Sequence, residues 1–389
     1  MRSIGVVTTS RADYSAYRPL LRAFEADPEI LPKLYVSGAH LSPEFGLSVR
    51  LIENDGIEIA ERIEILLSSD TPEAIAKSMG VGLIGFGQAF SKYQPDILVV
   101  LGDRYEMIAA ALAALPFKIP VAHLSGGELT QGAFDDALRH CLTKLSHLHF
   151  TSTEVYARRV IQLGEDPNRV FVSGEPALDD ILTAPQLTTN ELRDRFGIDV
   201  EQPFLLVTFH PVTLEYEQAQ WQIDELLAAL DEAPFRVIFT MPNADTAGRA
   251  IASRIRHWIA SHPGKGVTVN NFGPEAYHSV LRRAVAVVGN SSSGIIEAPS
   301  FKIPAVNIGN RQQGRIRTAN VIDAGYKQAD ILDAIQKAAS DDFRSSLRSL
   351  TNPYASKVNS AASTITGVLK RVELCDSLLQ KRFYDRRNS

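Results

Sequence analysis

The stretch Asp96-Ile97-Leu98-Val99-Val100-Leu101-Gly102-Asp103-Arg104-Tyr105-Glu106 shows most directly how this chain folds. Residues 97–101 are apolar without interruption, which is typical of a strand that is buried on both faces. A glycine and two charged residues follow, and residues 105–115 have helical character. A buried strand, a polar loop and a helix together predict the repeating unit of a parallel α/β sheet.

Similar units recur along the chain. Further strands are predicted at residues 4–9, 34–36, 121–124, 148–151, 205–209, 237–240, 285–288 and 305–308. Helices are predicted between most of them, at residues 14–26, 72–93, 134–145, 154–163, 215–230 and 247–259. This alternation predicts an α/β protein whose parallel sheets carry helices on both faces.

Residues 174–202 interrupt this rhythm with a cluster of proline, threonine and other polar residues, as is typical of a linker or hinge. We therefore predict two Rossmann-like domains, residues 1–175 and 176–365, and a C-terminal helical tail over residues 366–389. From residue 370 onward the tail has six Lys and Arg against three acids. We interpret it as a solvated helix and not as a nucleic-acid arm.

The composition is that of an ordinary globular protein, since 45% of the 389 residues are hydrophobic and 22% are charged. The net charge of −5 gives no strong positive field, so neither nucleic acid nor an anionic membrane is expected as a partner. The two cysteines, Cys141 and Cys375, are too few for a disulfide framework. We expect no leader, since residues 1–7 lead into the first strand without an apolar region and a small-residue cleavage site, and the longest apolar stretch, residues 107–117, is too short to span a bilayer. We expect a soluble cytoplasmic protein that holds any anion locally.

Ligands of open α/β sheets bind beyond the carboxyl ends of the strands, so the loops after the strands are the candidate sites. The loop after residues 4–9 lacks the G-x-G-x-x-G spacing, so no nicotinamide or flavin dinucleotide is indicated. Ser10 or Asp13 would cap the next helix. Arg11 lies beside a helix N-terminus, which favours an anion. An anion clamp and a solvated arginine both remain open.

Two further loops of the first half carry carboxylates. Asp103 either caps a helix or points into a crevice, with Arg104 beside it to hold its charge or another acid. Residues 123–140 contain three glycines together with Glu128, Asp135 and Asp136. Neighbouring carboxylates can be driven to different pKa values, which provides an acid and a base. The ligand types in this loop show no recognised metal spacing, so no metal is predicted; they are His123, Glu128, Asp135 and His140.

The second half offers two loops that suit a diphosphate. Residues 287–298 place glycines and the hydroxyls of Ser291 and Ser292 before a helix, without the Walker spacing. Glu297 would repel a phosphate but can accept hydrogen bonds from ribose hydroxyls. His210 ends another strand, where it is either a half-buried histidine or a donor or cation that faces the same diphosphate.

Seven motifs, in the same order, are shared with one known family: residues 9–14, 37–46, 101–104, the Gly-Gly-Glu, Asp-Asp and Arg-His segment of residues 126–140, residues 209–213, residues 241–245, and residues 289–294 with Glu297. On these motifs the chain resembles the hydrolysing UDP-N-acetylglucosamine 2-epimerases. The likeness is greatest to the sialic-acid-type branch and to the epimerase half of the bifunctional epimerase/kinase. No kinase half follows.

The resemblance implies a glycosyltransferase-B-like fold with an interdomain cleft, in which the C-terminal domain holds UDP and the N-terminal domain carries the acid and base residues. The residues that it implies for UDP are Arg11, Ser15, His210, Asn243, Ser291, Ser292, Glu297 and Arg311. Glu297 would bind the ribose, and Ser291, Ser292, Arg11 and His210 the diphosphate. No cofactor is implied, and we expect a homo-oligomer, either a dimer or a tetramer.

The family chemistry is anti elimination of UDP across C1 and C2, which gives a glycal, followed by addition of water with the opposite configuration at C2. Asp103, Asp135 and Asp136 match the acidic positions of the family, with Arg104 and His140 as orienting partners and His40 in a loop over the sugar. Where the bifunctional enzyme has a carboxylate, this chain has Ser125. A serine cannot be a general acid at neutral pH, so that role passes to Glu128 or varies within the family.

The implied reaction converts UDP-N-acetylglucosamine to UDP and N-acetylmannosamine, which supplies sialic-acid-type nonulosonates. An alternative substrate is a UDP-linked 2,4-diacetamido-2,4,6-trideoxyhexose, which would lead to legionaminic-acid-type sugars. The competing classes are a glycosyltransferase of the same fold and a non-catalytic sensor of nucleotide sugars. The number of carboxylates after residue 124 favours elimination and hydration over transfer.

Overall fold

The computed structural model describes residues 1–179, 181–182, 184–242, 245–270 and 272–385. Two parallel sheets are formed within these ranges. The strands of the first sheet are β1 Arg2–Thr8, β2 Ile30–Ser37, β3 Ile59–Ile63, β4 Ile97–Leu101, β5 Val121–Leu124, β6 Leu148–Thr151 and β7 Val170–Val172. Those of the second are β8 Phe204–Thr208, β9 Arg236–Thr240, β10 Gly266–Val269, β11 Ala286–Gly289, β12 Ala305–Ile308 and β13 Val321–Ala324.

Helices cover both faces of the two sheets. They are α1 Arg11–Glu25, α2 Val49–Asn54, α3 Pro72–Lys92, α4 Tyr105–Ala114, α5 Asp135–Leu145, α6 Glu154–Gln162, α7 Thr189–Phe196, α8 Ala219–Glu232, α9 Gly248–Ser261, α10 Pro274–Leu281, α11 Ser293–Ile296, α12 Ala298–Phe301, α13 Gln328–Ala339, α14 Asp341–Ser346, α15 Ala361–Arg371 and α16 Asp376–Leu379. Along β4, Ile97 and Val99 pack into one core while Leu98 and Val100 pack into another on the opposite face. The uninterrupted apolar run of this strand is thereby explained, and the predicted α/β architecture is confirmed.

The strand order places two crevices where ligands bind in such folds. The first sheet has the order β3-β2-β1-β4-β5-β6-β7 and the second the order β10-β9-β8-β11-β12-β13. The order reverses between β1 and β4 and again between β8 and β11, so the loops after these strands diverge and leave a crevice at the carboxyl edge. Arg11 and Asp103 follow the first pair of strands, and His210 and Ser291 follow the second.

Four strands were absent from the sequence prediction, and they are the four edges of the two sheets: β3, β7, β10 and β13. An edge strand has one neighbour instead of two, and these four are short and largely half-exposed. A search for uninterrupted apolar runs therefore finds the central strands and passes over the edges.

The segment predicted as a linker contains a helix, α7. Its N-terminus has a capping box, in which the Thr188 backbone N–H donates to Glu191 Oε2 (2.8 Å) and the Glu191 N–H donates to Thr188 Oγ1 (3.3 Å). Leu192 is fully buried in a core that includes Phe204 and Leu206. One cap and one buried leucine are therefore enough to hold a short helix in a segment that is otherwise polar.

The C-terminal part of the chain packs on the first domain. Ile365 and Leu369 of α15 lie in the core that contains Tyr17 and Leu20 of α1. Of the segment interpreted as a solvated helix, residues 370–385 are described: they are exposed or half-buried except Leu378, and they are helical at the end of α15 and in the short α16. The domain boundaries near residues 175 and 365 stay predictions. Among the described residues, no helix has the length and apolar character needed to cross a membrane.

Candidate functional site

A cleft of about 360 Å³ lies where the switch points of the two sheets face each other, and it is lined by residues of both domains. Ten of the residues predicted from the sequence line it together with Arg104: Asp103, Glu128, Asp135, Arg11, Ser15, His210, Ser291, Ser292, Glu297 and Arg311. The fold thus gathers into one cavity side chains that are up to 300 positions apart in the sequence. Asn243 lies outside the described residues.

One side of the cleft carries positive charge that no carboxylate neutralises by direct contact. Arg11 is the first residue of α1, and Arg311 follows β12. In the described parts of the chain neither guanidinium forms an ion pair with a carboxylate, and the buried Nε of Arg311 has no hydrogen-bond partner. Burial lowers the pKa of both groups, but from so high a starting value that they stay charged. Uncompensated cations in a partly dry cleft are suited to hold an anion.

The loop after β11 faces these arginines with hydroxyl groups. Gly289 has φ = 130°, and a Cβ there would lie 1.9 Å from the Thr208 carbonyl oxygen, so the ends of β8 and β11 pack backbone to backbone. Asn290 fixes the neighbouring loop, since its Oδ1 accepts from the His210 N–H (2.7 Å) and its Nδ2 donates to the His210 carbonyl (2.8 Å). Ser291 and Ser292 follow directly and line the cleft.

His210 is held neutral in this surrounding. Burial lowers its pKa well below the usual value, and the charges of Arg311, Arg104 and Arg11 lower it further. Of the two forms considered for the imidazole, the structure favours a neutral donor over a cation.

Glu297 lies in the wall of the cleft formed by the second domain. His278 Nε2 is 3.1 Å from its Oε1. Burial alone would raise the pKa of Glu297, but the contacts with His278 and Ser293 outweigh burial and hold the pKa below its usual value. The carboxylate is therefore ionised and accepts hydrogen bonds. Phe272 and Tyr277 line the cavity in the same domain and give this end an aromatic surface.

Asp103 lies on the opposite side of the cleft and is ionised. Arg139 forms a short ion pair with its Oδ2, and Thr130 Oγ1 donates to the same oxygen (3.1 Å). Burial would raise the pKa of Asp103, but the charges of Arg139, Arg315 and Arg311 keep it below the usual value. Of the two alternatives for Arg104, the structure favours the pairing with another acid, since its guanidinium contacts Glu106 (3.0 Å) and Asp245 (3.2 Å) and not Asp103.

Asp135, the first residue of α5, is the carboxyl group of the predicted set that titrates near neutral pH. Burial, together with the charges of Asp103 and Asp245, raises its pKa to about 7. Thr213 of the second domain places its Oγ1 at 3.5 Å from Asp135 Oδ2. A group of this pKa is half ionised at pH 7, so it can take up or release a proton during a reaction.

Glu128 is buried and is neutralised directly. Arg315 Nη1 lies 2.9 Å from its Oε2, and Ser152 Oγ donates to its Oε1 (2.9 Å). Arg139 Nη1 is 3.9 Å from the same carboxylate. With both oxygens in contact with neighbouring side chains, Glu128 is suited to fix the loop after β5.

The structure does not place three of the predicted residues at the cleft surface. Asp136 accepts from the Thr130 N–H (2.6 Å) and holds the loop before α5. His140 lies near Asp136 (3.7 Å) on the outer side of that helix. His40 is fully buried, with its ring nitrogens 2.9 Å from Thr8 Oγ1 and 2.8 Å from Ser48 Oγ, and it does not line the cleft.

Besides Asp13, which was predicted only as a helix cap, three arginine and glutamate residues of the cleft lie outside the predicted set: Arg139, Arg315 and Glu175. The buried residues of α5 include Arg139 and Leu142, at a spacing of three, which places the arginine on the inner face of the helix and His140 outside it. This helical pattern could have identified Arg139 from the sequence. Glu175 lies in the segment read as a linker, and Arg315 lies in a loop without a motif, so neither had such a signal.

Glu175 is paired with the serine that departs from the family pattern. Ser125 Oγ donates to Glu175 Oε2 (2.9 Å). Burial and the nearby charge of Glu128 raise the pKa of Glu175 to about 8. The cleft thus contains two protonatable carboxyl groups, Asp135 and Glu175, beside carboxylates that stay ionised. Among the described residues, no three histidine, cysteine or carboxylate side chains are grouped as metal ligands would be.

The chain is similar in sequence to a known family and to several of its members. A family model described as UDP-N-acetylglucosamine 2-epimerase matches residues 22–370. The chain is 40% identical over 385 residues to a protein of Campylobacter jejuni named GDP/UDP-N,N'-diacetylbacillosamine 2-epimerase (hydrolyzing), and the match covers 99% of each chain. It is 37% identical over 356 residues to the polysialic acid biosynthesis protein P7 of Escherichia coli, which covers 91% of this chain and 90% of that one.

Among solved structures, the UDP-GlcNAc 2-epimerase of Neisseria meningitidis bound to UDP-GlcNAc superposes with a TM-score of 0.78 at 17% identity. The match covers 94% of this chain and 99% of that one. At this identity the likeness concerns the fold, and it confirms the predicted glycosyltransferase-B-like arrangement of two parallel-sheet domains.

Proposed function

This chain belongs to the UDP-N-acetylglucosamine 2-epimerase family, and on that premise we propose that it is a hydrolysing 2-epimerase of UDP-linked 2-acetamido sugars. The observation that carries the proposal is the pairing of two opposed sets in one cleft: the cations Arg11 and Arg311, which form no ion pair with a carboxylate among the described residues, and Asp135, a carboxyl group of near-neutral pKa. Elimination of a diphosphate needs both, because a proton leaves carbon while negative charge develops on the departing group.

The nucleotide is assigned to the wall that the second domain forms. Arg11, Arg311, Ser291 and Ser292 would hold the diphosphate, with neutral His210 as a further donor. Glu297, ionised and held by His278, would accept from the two ribose hydroxyls. The aromatic wall near Glu297 suits the base. Ser15 also lines this part of the cleft, and the assignment of Asn243 rests on the resemblance alone.

The sugar then lies between the nucleotide and the acidic side. In the first step Asp135 takes the proton from C2, the C1–C2 double bond forms, and the bond between C1 and the diphosphate oxygen breaks. In the second step water adds its oxygen to C1, and C2 receives a proton on the opposite face. Asp103 stays ionised throughout, and its charge keeps Asp135 basic enough to accept the C2 proton.

For the sugar itself we propose a UDP-linked 2,4-diacetamido-2,4,6-trideoxyhexose, whose 2-epimer would feed legionaminic-acid-type nonulosonates. The relative from C. jejuni, matched over 99% of both chains, supports this choice by its name. UDP-N-acetylglucosamine is the second candidate, with N-acetylmannosamine as product for sialic-acid-type sugars. The relative named for polysialic acid biosynthesis and the neighbour bound to UDP-GlcNAc favour it.

The test is to incubate the purified protein with each UDP-sugar, and with the GDP form of the diacetamido sugar, in the absence of any acceptor. We expect free UDP together with a reducing sugar epimerised at C2, identified by proton NMR, and a higher kcat/KM for the diacetamido substrate. A higher kcat/KM for UDP-N-acetylglucosamine would select the second candidate. No turnover without an acceptor would overturn the proposal and favour a transferase or a sensor.

Two further predictions belong with this proposal. A homo-oligomer, dimer or tetramer, is expected, and light scattering after gel filtration measures its mass. A reducing cytoplasmic location is also expected, and the two cysteines, Cys141 and Cys375, are both free thiols.

A further inference from the structure

We infer that Glu175 is a catalytic residue that delivers the proton to C2, with Ser125 as its positioning partner. This inference rests on the proposed function, because it assigns a role in the hydration step. The resemblance implies a carboxylate at the position of Ser125, and the structure brings a carboxylate from elsewhere to that serine. The missing acid is therefore replaced from a loop 50 positions later in the sequence.

Both residues of the pair are held firmly. The Ser125 N–H donates to the Phe150 carbonyl (2.9 Å), and its own carbonyl accepts from Arg139 Nη1 (2.9 Å). The Glu175 N–H donates to the Tyr354 carbonyl (2.9 Å). Gly174, with φ = 83°, lies so close to Ser356 that a Cβ would be 2.7 Å from the Ser356 nitrogen. The two loops are thus fixed, and the Ser125 hydroxyl can orient the carboxyl group.

The contacts of Glu175 differ from those of its neighbour Glu128. Glu128 has an arginine on one oxygen and a hydroxyl on the other. Among the described residues, no arginine or lysine forms an ion pair with Glu175, and its side-chain partner is Ser125. A buried carboxylate without a directly paired cation is costly as an ion, so burial raises the pKa of Glu175.

The position of Glu175 also separates it from Asp135. Both line the cleft, but Asp135 lies beside Thr213 of the second domain, whereas Glu175 contacts Ser125 at the end of β5. Inversion at C2 requires removal of a proton from one face and delivery to the other, so two separate carriers are needed. Asp135 serves the first step and Glu175 the second.

The hydration step adds one water across the C1–C2 double bond. The O–H bond of Glu175 breaks and its proton bonds to C2 through the electron pair of the C1–C2 double bond. Water bonds to C1, and its surplus proton passes to solvent. Glu175 is then reprotonated from solvent, and Asp135 releases the C2 proton that it took in the first step.

The decisive variant is Glu175→Gln, which keeps the volume and removes the acid. We expect the overall rate of epimer formation to fall by about 100-fold or more, while UDP is still released together with the dehydrated glycal, which mass spectrometry detects at 18 mass units below the epimer. The Kd for UDP should change by less than about threefold. Glu165→Gln is the control, because Glu165 is buried but pairs with His149 and Lys144 outside the cleft.

Two outcomes would overturn the assignment. One is a Glu175→Gln variant that forms the epimer at the wild-type rate; the other is a variant that is slow but produces no excess of glycal over epimer. If the wild-type protein itself releases no UDP from any sugar, the proposed function fails instead, so the two failures are distinct.

The positioning role of Ser125 is tested by the pH dependence of kcat. Its hydrogen bond favours the ionised form of Glu175, so Ser125→Ala should raise the pKa of Glu175 and move the alkaline limb of kcat to higher pH. Glu175→Asp should retain a limb, at altered pH. An alkaline limb that does not move in either variant would show that Glu175 does not supply the proton.

Discussion

The charged residues on the two sides of the cleft differ in whether they form ion pairs. On the nucleotide side, Arg11 and Arg311 have no carboxylate in direct contact among the described residues, so their charge remains available to a ligand. On the acidic side, Asp103 and Glu128 are each tied to an arginine, and only Asp135 and Glu175 are left to exchange protons. Binding sites keep charge uncompensated, whereas reactive sites use compensated charges to set the pKa of a few groups.

The largest expected effect comes from removing a proton carrier on the acidic side. Asp135→Asn should lower kcat by about 1,000-fold or more, because an amide cannot accept the C2 proton. The Kd for UDP, measured by calorimetry, should change by less than about threefold. Asp136→Asn, at the neighbouring position, should lower kcat by no more than about tenfold, because it disturbs only the loop that contains Thr130. Equal losses in the two variants would contradict the distinct role given to Asp135, and a larger loss in Asp136→Asn would mean that the two roles are reversed.

Removing a positive charge on the nucleotide side should weaken UDP binding, whereas removing the proton carrier lowers kcat. Arg311→Ala should weaken UDP binding by about 100-fold, corresponding to about 2.7 kcal/mol for a desolvated charge-assisted contact. Arg317→Ala is a matched control, since Arg317 pairs with the exposed Asp323 (2.6 Å) six positions further on. An Arg311→Ala protein that binds UDP as tightly as wild type would remove the basis for the distinction between the two sides.

A smaller effect on UDP binding is expected from a change at His278, which contacts Glu297. His278 keeps Glu297 ionised, so His278→Ala should raise the pKa of Glu297 and weaken UDP binding by about fivefold at pH 6 and by less at pH 8. Binding of uracil alone, which lacks the ribose, should not change. A uniform loss at both pH values would indicate a packing defect in place of a charge effect.

The smallest effect is a shift of pH dependence. As a base of pKa about 7, Asp135 must be ionised, so kcat/KM should fall about tenfold per pH unit below pH 7. The charge of Asp245 raises the pKa of Asp135. Asp245→Asn should therefore lower that pKa and move the acidic limb to lower pH. A shift toward higher pH would contradict the assignment of Asp135 as the base.

The sequence predicted the centre of each sheet well and the edges poorly. Central strands such as β4 and β5 are buried on both faces and read as apolar runs, whereas β3 and β13 are half-exposed and carry polar residues. The polar segment 174–202 was interpreted as a linker because α7 is short and depends on one buried leucine. Local pattern identifies an element only where burial constrains most of its residues.

The same limit applies to the site. Motifs placed Asp103 and Asp135 in the cleft, because Asp103 lies just after β4 and Asp135 lies at the end of the loop that joins β5 to α5. They could not show that Arg139, and not Arg104, neutralises Asp103, or that Glu175 reaches Ser125, since these contacts join separate loops. His40 belongs to a shared motif yet is buried under the site. A motif marks a region of the fold, and only the packing decides which of its residues touch a ligand.

The central claim, that the acidic side moves protons at C2 while the other side holds UDP, is tested most directly in D₂O. The wild-type protein is incubated with its UDP-sugar, and the product is examined by proton NMR and mass spectrometry. We expect release of UDP and a 2-epimer that carries one deuterium at C2, from the first turnover onward. An epimer or transferred sugar that retains its original C2 hydrogen would contradict it.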